Sequence, residues 1–389
     1  MAEQRNFRKL ALFTLIPVLI FAVLVGLGMA IGYYLGVGTF QRKIDRYARA
    51  ETLGGVLDRE TRPDREEFAL AYYDPAAAIR DMGTYSWSVP TAPTPFVMHA
   101  PRPGVQGVAH INSLQFRWPR ELETPKPADT VRIFMTGGST AYGSGAPSDE
   151  RTIGGYVNRF LNEELAPRTG KRYEFITTAT PAWSSTHERI QIENRLSELE
   201  PDMVVAFSGN NDCSWGQQGR DVLWFMSYAD HFYLKLLSLA YEKSWRGELP
   251  EIQDVIDGLV EPRVITDRLE KNFRLAVLAL EPTGAPYVFV LQPTLGATKK
   301  ALSDRERRRI DERGNGPYFR SCYAEYQRRL PAYAAGFANT YYFDFSPMFD
   351  GDPATEEIFL DSYHFGDRGN ERIARRMFES IRPILLGKK

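Results

Sequence analysis

The sequence predicts an α/β protein: a three-layer α/β/α sandwich on a five-stranded parallel sheet, preceded by one transmembrane helix. Three observations predict it. Short apolar runs of β-forming residues recur from residue 130 onward, helical patterns fall between them, and one long uncharged stretch stands near the start of the chain. Alternation of this kind makes a parallel sheet covered on both faces, because each crossover helix packs back onto the strands it connects.

Residues 1–9 form a short polar tail, and residues 10–40 form the transmembrane helix. Leu10 to Phe40 contains no charged residue, whereas about 20 apolar residues are enough to cross a bilayer. The apolar core of a cleaved signal peptide is only about 7–15 residues long, so this stretch reads as a retained anchor. Gly28, Gly32 and Gly36 recur every fourth residue, which reads either as a helix face open to a membrane-protein partner helix or as the ordinary abundance of glycine in membrane helices. Arg5, Arg8 and Lys9 precede the span while Arg42, Lys43, Arg46 and Arg49 follow it, so the local charge bias does not set orientation. A short tail, one span and a large following domain have the form of a signal anchor, which puts the C-terminal domain outside the cytoplasm.

Residues 41–129 read as a membrane-proximal linker and an irregular shoulder, since Pro90, Pro93, Pro95, Pro101, Pro103, Pro119, Pro125 and Pro127 prevent long helices there. The main domain covers 130–389. Its strands are expected at 131–136, 172–178, 202–207, 286–291 and 340–345. Helices are expected at 152–166, 186–199, 265–281, 303–335 with a break, and 367–385. An aromatic insertion over about 213–264, with Trp215, Trp224, Phe225 and Tyr228 among its residues, reads either as a lid over a site or as a packed helical subdomain. The charged run Arg305 to Arg309 reads as a solvated helix face.

Composition narrows the function. A formal net charge of -1 over 389 residues offers no electrostatic footprint for nucleic acid. Two cysteines, Cys213 and Cys322, are too few for a disulfide framework and lack metal-ligand spacing, although an oxidising compartment leaves room for one pair. With only five histidines in the chain, their placement is informative. Ser139 ends the first strand run, and Asp361 and His364 lie three residues apart far downstream. A serine hydroxyl becomes a competent nucleophile when an imidazole takes its proton and a carboxylate orients that imidazole. In an open α/β sheet the ligand site lies beyond the carboxyl ends of the strands. Ser139 follows the first strand, Ala182 the second and Asn211 the third, while His364 precedes the last helix, so all four converge on one edge. No further His or Cys stands near Asp361 and His364 to complete a metal site.

The motifs at these positions resemble the SGNH hydrolases, the superfamily that includes the GDSL esterases, over roughly 130–385. Gly137-Gly138-Ser139-Thr140 resembles the nucleophile block in a Gly-Gly-Ser-Thr form. Thr177 to Ser185 falls at the second block, Ser208-Gly209-Asn210-Asn211-Asp212 resembles the third, and Asp361 to His364 resembles the Asp-x-x-His block. Asn112 to Arg117 resembles the Asn-x-x-Gly-Phe-Arg element of membrane-anchored members, with Gln115 in place of glycine. The resemblance implies a flavodoxin-like sheet and a serine esterase without metal or other cofactor. It also implies a triad of Ser139, His364 and Asp361, with an oxyanion hole from the Ser139 and Ala182 backbone N–H groups and the Asn211 side chain. The sequence departs from the pattern at Ala179 and Ala182, which replace glycines; if residue 182 needs a positive φ, alanine there costs about 1–2 kcal/mol. Two other functions fit the same residues: an O-acyltransferase for an envelope polysaccharide, working with a membrane partner, and a non-catalytic binding or assembly protein.

Overall fold

A computed structural model of the chain describes residues 15–36, 62–85, 90–219, 258–313 and 316–387. The tail, the linker up to residue 61 and most of the aromatic insertion, residues 220–257, lie outside the described residues. Within them the expected sheet is present: β1 (Thr130–Gly137), β2 (Arg172–Thr177), β3 (Met203–Ser208), β4 (Tyr287–Leu291) and β5 (Thr340–Asp344). The strands are all parallel and lie in the order 2-1-3-4-5. That is the doubly wound, flavodoxin-like order, in which the chain reverses direction between β1 and β3 and opens a crevice at their carboxyl ends.

Side-chain alternation explains why both sheet faces are covered. In β1, β3 and β4 one parity (Ile133, Met135, Met203, Val205, Phe207, Val288, Val290) joins the apolar cluster under α1 (Ile153–Phe160) and α6 (Asp367–Leu385). The other parity (Phe134, Val204, Ala206, Tyr287, Phe289, Leu291) joins the cluster under α2 (Ser185–Asn194), α4 (Pro262–Leu280) and α5 (Gly316–Ala334). Strands buried on both faces read as continuous apolar runs, which is how they appear in the sequence. The short α3 (Asn210–Gln217) leaves the end of β3. Arg132 is the charged exception inside β1: it is fully buried and its Nε donates to Glu174 on β2 at 3.1 Å.

The described part of the shoulder carries short elements. Short helices Arg62–Ala69 and Pro75–Asp81 and two small hairpins, Thr91–Pro101 and Gly104–Ile111, fold onto the domain. Phe68, Ala69, Ala71 and Tyr72 bury against Leu360. Separately, Leu15–Gly36 forms one 22-residue helix with a mean hydropathy of 2.6 over its most apolar 18 residues, long and apolar enough to cross a membrane.

The charged run Arg305 to Arg309 is only in part the solvated face expected of it: Arg307 and Arg308 are exposed, but its first two residues are not. Arg305 and Glu306 are 5% and 1% exposed, because each finds an ionic partner: Glu357 for Arg305 and Lys300 for Glu306. Cys213 and Cys322 are both buried and both free thiols.

Candidate active site

β1 ends at Gly137, where the chain turns sharply into a single helical turn, Ser139–Tyr142, closed by Gly143 at φ 86°. Glycine at 138 is a steric requirement, since a Cβ there would lie 2.2 Å from the Asn211 amide nitrogen and 3.2 Å from the Trp183 carbonyl oxygen. The turn raises Ser139 at the carboxyl edge of the sheet. There His364 Nε2 lies 2.8 Å from Ser139 Oγ, although the two residues are 225 positions apart.

His364 is itself held in a tight loop between β5 and α6. Its Nδ1 lies 2.8 Å from Asp361 Oδ2, while Asp361 Oδ1 accepts the backbone N–H groups of Tyr363 and His364, each at 2.9 Å. Asp361 therefore orients both the imidazole and the backbone that carries it. With a carboxylate facing Nδ1–H, the Nε2 lone pair is directed at the serine hydroxyl. Asp361 and His364 are 6% and 3% exposed, so the pair works in a low-dielectric setting where such hydrogen bonds are strong.

The second and third blocks meet the turn that carries Ser139 from the other side. Thr180 N–H donates to Gly137 O at 3.1 Å, which brings the chain after β2 past the serine. Asn211 Nδ2 donates one hydrogen to Trp183 O at 2.7 Å, leaving its second amide hydrogen beside the Gly138–Ser139 peptide. Among the described residues neither the Ser139 nor the Ala182 backbone N–H donates to a protein acceptor. Ala182 adopts φ 70°, the left-handed region that favours glycine, and Gln115 does the same at φ 64°. Both residues stand where the resemblance expects glycine. The backbone shape has been kept and the side chain tolerated at a cost of about 1–2 kcal/mol each.

Several supporting residues escape a reading of the sequence because their partners are remote. Asp212 accepts Ser185 N–H at 3.0 Å and Ser185 Oγ–H at 2.6 Å, which locks the second block to the third. Asn272 of α4 donates to Ser185 Oγ and Thr186 Oγ1, both at 2.9 Å. Glu188 accepts Ser208 Oγ–H at 2.6 Å. Burial pushes the Asp212 and Glu188 carboxyl pKa values up. Trp183 stacks on His187 with ring centroids 5.9 Å apart and donates its indole N–H to His99 O at 3.0 Å. Burial, with a smaller contribution from His99, holds the His187 pKa well below 6.5. Trp183 and Asp212 had a visible signal, since each lies within one of the motif blocks; Asn272 had none.

No family model matches the chain, and no curated protein matches it. Among solved structures it is similar to the acetyl xylan esterase AlAXEase, at 15% identity over 64% of this chain and 100% of that one, with a TM-score of 0.40. It is also similar to the acetylxylan esterase Axe2 from Geobacillus stearothermophilus, at 15% identity over 64% and 94% of the two chains and a TM-score of 0.39. For the lipase/acylhydrolase from Enterococcus faecalis the identity is 14%, the coverages 65% and 96%, and the TM-score 0.40. Identities and scores this low carry no activity from those proteins to this one.

Proposed function

We propose that the chain is a membrane-anchored serine esterase of the SGNH type, cleaving an acyl ester such as an O-acetyl group on a glycan outside the cytoplasm. The observation that carries this reading is the unbroken line from Asp361 Oδ2 through the His364 ring to Ser139 Oγ, each gap 2.8 Å. In the reaction, Ser139 Oγ attacks the ester carbonyl while His364 Nε2 takes the hydroxyl proton. The carbonyl oxygen gains negative charge beside the Ser139 and Ala182 N–H groups and the spare Asn211 amide hydrogen. His364 then gives its proton to the departing alcohol, leaving an acyl-serine. Water, activated by the same imidazole, releases the acid and restores Ser139.

The test is turnover of a short-chain chromogenic acetate ester, and labelling by a fluorophosphonate, by the full chain in detergent beside its Ser139→Ala variant. Both signals in the parent and neither in the variant are expected. A folded parent that neither turns over the ester nor takes the label overturns the reading in favour of a non-catalytic protein. Anchoring is supported by the apolar Leu15–Gly36 helix. A reporter fused after the last residue that is active only in the cytoplasm would overturn the extracytoplasmic placement.

A further inference from the structure

The turn that carries Asp361 and His364 is gripped from outside the site by a buried cation. Arg305 Nη1 donates to Leu360 O at 3.1 Å and Nη2 donates to Phe359 O. Leu360 N–H in turn donates to His364 O at 2.8 Å, and Phe359 bridges to Phe365 across the base of the turn. The guanidinium thus holds the two residues whose backbone closes the loop on His364. Its charge is balanced by Glu357, which accepts from Nε at 3.1 Å and from Nη2 at 2.6 Å. A planar fork with donors on three nitrogens suits two carbonyls and a carboxylate at once, which a lysine ammonium on a single flexible stem does not reproduce.

The membrane-proximal shoulder closes over this grip. The Phe68 ring lies under the guanidinium groups of Arg305 and Arg309, at 5.8 and 4.8 Å from its centroid. Arg308 donates to both Glu67 carboxylate oxygens, at 2.9 and 3.1 Å. Ala71 O lies so near Gly366 that a Cβ on that glycine would sit 2.0 Å from it, and Tyr73 N–H donates to Asp367 at 2.9 Å.

We infer that Arg305 is a positioning residue for His364, and that the helix Arg62–Ala69 seals Arg305 in place, so that the shoulder next to the membrane is a structural part of the catalytic loop. The inference rests on Ser139 and His364 being the reacting pair. A purely structural Arg305 would lower stability and leave the turnover of folded protein unchanged. A positioning Arg305 governs how well the imidazole meets the serine, so its loss lowers kcat while leaving KM nearly constant.

The experiment compares the full chain in detergent with Arg305→Lys and Phe68→Leu. It measures the thermal midpoint, kcat and KM on the acetate ester, and the low-field proton resonance of the His364–Asp361 hydrogen bond in ¹⁵N-histidine-labelled protein. Arg305→Lys is expected to lower kcat by about tenfold or more with KM within about twofold, and to shift or broaden the resonance. Phe68→Leu keeps apolar packing without the aromatic face and is expected to move the same readouts by a smaller factor; it decides the matter if Arg305→Lys does not fold. An unchanged kcat and an unchanged resonance in a folded variant overturn the inference. If the parent shows neither turnover nor fluorophosphonate labelling, the esterase reading fails instead, and the resonance still decides whether Arg305 positions His364.

Discussion

The Asn211 amide nitrogen sits directly over Gly138, where a single added methyl group would lie 2.2 Å from it. This contact joins the third block to the turn that carries Ser139, next to the residue whose backbone N–H is the other proposed donor. Gly138→Ala and Asn211→Ala should therefore act alike, one by displacing the donor and the other by deleting it. Each is expected to lower kcat on the acetate ester by about a hundred- to a thousandfold, with the Ser139-dependent signal still detectable in long assays. A Gly138→Ala protein with parental kcat would show that Asn211 is not a donor to the reacting carbonyl.

Ala182 holds φ 70°, so Ala182→Gly should remove backbone strain. The strain relieved is about 1–2 kcal/mol, offset by the roughly 0.5–1 kcal/mol that glycine's freer unfolded chain costs. A net rise in Tm of about 1–3 °C is expected by calorimetry. A fall in Tm would mean that the alanine methyl makes packing worth more than the strain.

Glu174→Ala should destabilise the fold severely, because it leaves the fully buried Arg132 without its carboxylate. The expected loss in urea unfolding is about 3 kcal/mol. Pairing the change with Arg132→Met should recover much of it, since an apolar pair of similar volume needs no charge compensation. Equal losses in the single and double variants would contradict this account.

His187 gives the fold an acid-side weakness with a definite sign. Its folded-state pKa lies well below 6.5, so the unfolded chain binds a proton first as pH falls. The stability tied to neutral His187 is therefore complete above pH 6.5 and is lost below it, by about 1.4 kcal/mol for each pH unit of the window. Ser184 N–H faces His187 Nδ1 at 3.2 Å in a capping box, a role that glutamine also fills. His187→Gln is expected to flatten the fall of the urea midpoint as the pH drops below about 6.5. Parallel pH profiles for the two proteins would assign the acid sensitivity elsewhere.

Much of this architecture was legible because its signals are local. The five strands are apolar runs of the right length bounded by turn residues. The positions of Ser139, Ala182 and Asn211 one turn beyond successive strands follow from β-α alternation alone. The Asp361–His364 spacing is likewise local, and its hydrogen bond follows from one tight loop. The reading went wrong at Arg305, where a run of charges suggested solvent. A guanidinium is buried comfortably once carbonyls and a carboxylate surround it, but Glu357, Phe359 and Leu360 lie more than fifty positions away.

The sequence alone determined the class of fold, the apolar N-terminal helix and the residue types of the candidate site, because periodicity, length and motif spacing act over a few residues at a time. Only the tertiary structure decided that His364 Nε2 meets Ser139 Oγ, that alanine at 182 adopts a glycine-like backbone, and that Arg305 is packed against Phe68 of the helix Arg62–Ala69. Each of these depends on the positions of groups from distant segments to within a fraction of an ångström. Such positions are set by how the helices and loops pack on the sheet, and no local pattern encodes them.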